Sequence, residues 1–100
     1  MKNQFGNKIK YLRESNNLLQ RQVAVLLEID TPMLSKIERG ERRAKKEQVL
    51  ILAQLYNEEK EILLTLWLAD QVYDLVKDEE IASYALKVTE DNLSTNKRNE

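Results

Sequence analysis

The sequence contains no cysteine and no histidine. That excludes disulfides, a thiol nucleophile, imidazole acid–base chemistry and the usual transition-metal ligand sets. It holds one proline and two glycines in 100 residues. So few chain breakers predict an all-α fold. No apolar run reaches membrane length and no signal peptide is legible, so a cytoplasmic protein without a membrane partner is expected. No glycine-rich phosphate loop is present. The acids at 58–61 and 78–80 read as helix starts rather than as a convergent carboxylate cluster. The expectation is therefore a non-enzyme with no metal and no cofactor. The length suits one small domain with a limited core and room for an oligomerisation element.

Net charge is −1, but it is unevenly spread. Residues 1–50 carry 11 Lys/Arg and 6 Asp/Glu, while residues 51–100 carry 5 and 11. A basic half and an acidic half imply two surfaces with different partners.

Residues 20–40, QRQVAVLLEIDTPMLSKIERG, read as two short helices around a tight turn. Val23, Ala24, Leu26 and Leu27 give the first an apolar face; Leu34 and Ile37, with Met33 beside them, give the second. Ile29 is a lone apolar anchor in the turn. Asp30 is an N-cap, Pro32 sits in the first helical turn, where a missing N–H is tolerated, and Gly40 is a helix stop. Thr31, Pro32, Ser35 and Lys36 then face away from the core. Such a ridge is either a solvated helix face or a set of side chains presented to a major groove.

The run of Phe5, Gly6, Ile9, Leu12, Arg13, Gln20, Val23, Ala24, Leu27, Ile29, Leu34, Ser35, Ile37, Glu38, Arg39 and Gly40 resembles the phage-repressor type of helix-turn-helix domain, the XRE or Cro/C1 family. The likeness continues without gaps to about Asn57. It implies a five-helix, lambda-repressor-like DNA-binding domain, here with an extended C-terminal helical segment making about six helices. It implies base contacts from Thr31, Pro32 and Lys36, with Met33 and Ser35 as further candidates; core packing is the alternative for Met33. It implies backbone contacts from Gln20 and Arg21 and from the charged run after the second motif helix: Arg39, Arg42, Arg43 and Lys45. It further implies a partly buried Arg13–Glu38 ion pair joining helix 1 to helix 3. Three positions depart from the pattern's glycine, carrying Asn17, Glu28 and Asn57. Leu19 stands where the family has a serine or threonine N-cap.

Around the motif, residues 3–16 read as helix 1, with Phe5, Ile9 and Leu12 on one face. Gly6 there suggests close approach of another helix. Residues 47–56 read as helix 4, burying Val49, Leu52, Ala53 and Tyr56. Residues 62–76 are apolar on more than one face. Asp78 is a cap for a sixth helix, whose apolar set is Ile81, Ala82, Tyr84, Ala85, Leu86 and Val88. The surplus apolar surface predicts a homodimer through Leu63, Leu66, Trp67, Val72, Tyr73, Val76 and Tyr84. The alternative is a monomer in which helix 6 folds back over helix 5. The expected organisation is a DNA-binding core over 1–57, C-terminal helices over 58–91 and a frayed polar tail over 92–100.

The functional expectation is a sequence-specific DNA-binding regulator acting as a homodimer on a two-fold operator. Compact relatives include restriction-modification controllers and antitoxin-like autorepressors. An activator would also touch RNA polymerase. From another class, the chain could be a protein-interaction module that has lost DNA binding.

Overall fold

The computed structural model describes residues 3–98. Among them are six helices and no strand: α1 Gln4–Ser15, α2 Gln20–Leu26, α3 Thr31–Glu38, α4 Lys46–Leu55, α5 Lys60–Val76 and α6 Ala82–Arg98. The helix pairs that pack extensively are α4 with α5, α1 with α5, α2 with α3, and α1 with α3. Their shared interior is aliphatic. Ile9, Val23, Leu34, Val49, Leu52 and Leu63 are the largest fully buried side chains. Each such burial contributes about 1.5–3 kcal/mol.

The turns follow from a few residues. Asn17, Glu28 and Asn57 take φ of 57°, 58° and 52°, and Gly40 takes 78°. These are the left-handed positions that end α1, α2, α4 and α3. Gly40 closes α3 with a Schellman pair: its own N–H bonds Ile37 O and that of Glu41 bonds Lys36 O. Gly6 is required by packing. A Cβ there would lie 2.5 Å from the Glu38 carbonyl oxygen, so α1 rests directly against the end of α3.

The N-terminus of α1 is capped twice. Asn3 accepts from the Gly6 N–H at 3.2 Å and donates to Glu38 O at 2.9 Å. Asp70 on α5 accepts from the Phe5 and Gln4 N–H groups at 2.9 and 3.3 Å. A carboxylate from another helix thus satisfies donors that α1 cannot satisfy internally.

Three expectations for the C-terminal half need correction. Leu63 is fully buried in its own core and has no surface to give a dimer face, while Leu66 and Trp67 are half-buried against that core. The sixth helix begins at Ala82, not at Asp78, because i→i+3 bonds from Glu79 to Val76 and from Ala82 to Glu79 turn the chain first. The polar segment 92–98 continues α6 rather than fraying; extending a formed helix adds one bond per residue fixed. Residues 99–100 of that segment lie outside the described residues.

Nor does α6 close over α5. It belongs to none of the extensively packed pairs, and over 82–96 only Ala82 is part-buried. On the side of α5 away from the core, Leu68 is 55% and Leu75 79% exposed. Between the two helices runs an apolar groove lined by Leu68, Ala69, Val72, Tyr73, Val76 and Leu86. The projecting helix gives a radius of gyration of 15.7 Å, against about 13 Å for a compact chain of this length.

Candidate nucleic-acid interface

α2 and α3 form the expected helix pair. Their facing surfaces are Val23, Ala24 and Leu27 against Leu34 and Ile37, all buried, with Ile29 packed at the edge. The Ile29 N–H bonds Ala24 O at 3.1 Å, pulling the turn under α2. Asp30 caps α3 by accepting from Met33 N–H at 2.8 Å. Leu19 supplies no side-chain cap to α2; instead its own N–H donates to Gln22 Oε1 at 2.8 Å.

With Leu34, Ile37 and Glu38 turned inward, the other side of α3 is open. Pro32 and Lys36 are exposed, and Thr31 and Ser35 are half-buried beside them. Met33 is half-buried and packs against the core.

Beneath this surface lies a buried polar cluster. Arg13 pairs with Glu38 through two bonds, Nε to Oε2 at 2.7 Å and Nη2 to Oε1 at 3.1 Å, and its Nη1 donates to Leu18 O at 2.9 Å. The bond to Glu38 holds the Arg13 pKa above its ordinary value against the opposing effect of burial. Glu38 Oε1 also accepts from the Gln20 amide at 2.9 Å. Gln20, expected only at the DNA backbone, therefore also ties α2 to α3; its second amide hydrogen can still donate outward. Tyr56 packs at this cluster, and burial, reinforced by the Glu38 charge, pushes its phenol up to about 12.

The cations expected at phosphates are all exposed. Arg21 is exposed on α2, and Arg39, Arg42, Arg43 and Lys45 are exposed at and beyond the end of α3. Arg39 is held in place. Its guanidinium bonds Ser35 Oγ and makes an ion pair with Glu41 at 2.6 Å. That bond raises the Arg39 pKa and lowers that of Glu41. Arg43 leans toward α5, lining a crevice with Leu68, Gln71 and Asp74. Ala44 is the one buried residue between these cations, 3% exposed. Its carbonyl accepts from the Trp67 indole N–H at 2.8 Å.

Local patterning could not reveal the Asn3–Glu38 bond, the capping role of Asp70 or the Ala44–Trp67 bond, whose partners are distant in sequence. No group of three or more metal-ligating side chains occurs among the described residues, and no helix there is long and apolar enough to cross a membrane.

Comparison with known proteins agrees with this geometry. A family model described as Helix-turn-helix matches residues 9–63, more than half of the chain, from within α1 to the first turn of α5. No curated protein and no solved structure matches the chain.

Proposed function

Because the chain belongs to the XRE/Cro-C1 type of helix-turn-helix family, a family of DNA-binding regulators, we propose that it binds a two-fold operator as a homodimer and regulates transcription from it. The observation that carries this reading is the split surface of α3. Leu34, Ile37 and Glu38 are buried, whereas Pro32 and Lys36 are open, as are the cations Arg21 on α2 and Arg39 at the end of α3. A helix so placed can offer Lys36 to guanine O6 and N7, and Thr31 and Pro32 to a thymine methyl. Gln20, Arg21, Arg39, Arg42, Arg43 and Lys45 then contact phosphates and set register.

The second copy is argued from the C-terminal half. Both the outer side of α5 and most of α6 are exposed, and each carries apolar side chains there: Leu68 and Leu75 on α5, Ile81 just before α6, and Tyr84 and Val88 on α6 are each more than half exposed. Most of a helix's stability in a protein comes from packing of its apolar face, and α6 packs little of its own within one copy. A second copy offers the same groove and the same α6 stripe in return, so both surfaces are covered on both copies. Of the residues expected at the interface, Val72, Tyr73, Val76 and Tyr84 remain available. Occupying a promoter, such a dimer represses by occlusion, or activates where it touches RNA polymerase. The more specific reading we hold for it is a cytoplasmic restriction-modification controller or an antitoxin-like autorepressor.

Selection of bound sequences from random duplex DNA tests the proposal. The expected product is an inverted repeat with half-sites about 34 Å apart, one helical turn. Lys36→Ala should relax base preference at one position per half-site. No enrichment, together with no shift at low salt, would favour the interaction-module reading instead.

A further inference from the structure

We infer that Trp67 is a positioning residue for DNA binding: its indole N–H latches the segment 42–44, which carries Arg42 and Arg43 and leads into Lys45. The inference rests on the reading of those three cations as phosphate contacts.

Both ends of the charged loop are fixed by their own helices. The Schellman pair at Gly40 and Glu41 anchors one end to α3. At the other, the Lys45 N–H donates to Gln48 Oε1 at 2.8 Å, and Lys45 O accepts the first bonds of α4. Between them, no backbone–backbone hydrogen bond reaches residues 42–44 among the described residues. Among the described residues, the one hydrogen bond to that stretch is the one from Trp67 Nε1 to Ala44 O. It acts with burial of the Ala44 methyl.

The space beneath the loop leaves it free to move if the bond is lost. A polar crevice of about 210 Å³ lies there, lined by Asn3, Arg42, Arg43, Trp67 and Asp70 among others. Among the described residues, no other side chain donates to the Ala44 carbonyl. An unpaired carbonyl would turn to solvent and carry its neighbours with it. Arg42 and Arg43 lie within two residues of that carbonyl, so a swing of Ala44 displaces both side chains, and it disturbs Lys45 only as far as the start of α4 allows. The Trp67 ring is otherwise an ordinary core-edge side chain; what distinguishes it is the direction of its single donor.

The test uses the full chain and random-sequence double-stranded DNA, because phosphate contact is independent of sequence. Binding is measured across a salt series for the wild type, for Trp67→Phe, and for Trp67→benzothienylalanine, an isostere that keeps the ring shape and lacks the N–H. Arg42→Ala, Arg43→Ala and Lys45→Ala are measured alongside. The isostere should retain the wild-type circular dichroism and native mass. Its plot of log K against log salt should be shallower by about 1 for each cation released. A merely structural tryptophan would leave that slope unchanged. An isostere with the wild-type slope overturns the inference, provided the three alanine variants flatten it. If those three variants also leave the slope unchanged, the phosphate reading has failed and the latch falls with it. Trp67→Phe should reproduce the isostere's slope; a slope altered in Trp67→Phe alone would reflect lost packing and would count against the latch.

Discussion

Glu28 holds φ at 58°, in a region where a side chain beyond Cα costs roughly 1–2 kcal/mol. The turn needs that conformation because Ile29 must reach back to Ala24 O. Glu28→Gly relieves the strain but gives the unfolded chain more freedom, which offsets about half the gain. The expected net effect in urea denaturation is stabilisation by about 0.5–1 kcal/mol; a loss of stability would show that the Glu28 side chain has a favourable contact. At Tyr56 the argument concerns pH. The unfolded phenol ionises near pH 10, whereas the folded one ionises only at about 12. The folded state therefore binds one more proton within that window, and stability falls as pH rises from about 10 to about 12. The loss from this group should be about 2 kcal/mol, with no contribution below pH 9. Thermal unfolding of Tyr56→Phe should decline less over the same window; an identical decline would assign the effect to other groups. Several of these special residues are legible in the chain. Asn17, Glu28, Gly40 and Asn57 stand at helix ends, and Arg13 and Glu38 carry the family's ion pair, because local backbone geometry and a long motif specify them.

Helices show where such reading stops. The bounds of α1 to α4 follow closely from apolar spacing and caps, since each has one core face and one solvent face. α5 has two demanding faces, and sequence alone does not divide its apolar residues between them. Leu63 and Trp67 went inward and Leu68 and Leu75 outward, a division fixed by where α1 and α4 lie. Asp70 is the clearest case of a role without a local signal. It reads as a polar break in an apolar helix, yet it accepts from Phe5 N–H across 65 residues of chain. Asp70→Ala removes two charge-assisted bonds from the start of α1 and should cost about 2 kcal/mol in chemical denaturation. Asp70→Asn, which keeps an acceptor, should cost clearly less. Equal losses from the two would show that the negative charge, rather than the hydrogen bond, holds α1. Asp78 failed as the start of α6 for the opposite reason. It is a good local cap, but the turn after Val76 takes it out of helical register.

The molecule as a whole is polar in charge and incomplete in packing. Its basic half holds the open side of α3, and its acidic half holds α5 and α6. The acidic half would be repelled by phosphates, which favours approach of DNA to α3 and leaves α5 and α6 turned away or to the side. There the exposed apolar stripe can meet its copy. Leu68→Lys combined with Leu75→Lys tests this without disturbing the core, because both side chains are more than half exposed. Light scattering should show the mass falling from dimer to monomer, while thermal stability of the five-helix body changes little. Affinity for a two-half-site duplex should drop by about 10²–10⁴-fold, toward that of a single half-site. The salt slope per bound monomer should be retained, since no phosphate-facing cation is altered. A double variant that keeps the native mass would place the interface elsewhere. One that becomes monomeric yet binds the two-site duplex undiminished would show that each α3 reads its half-site independently, and that the C-terminal helices pair for a purpose other than operator recognition.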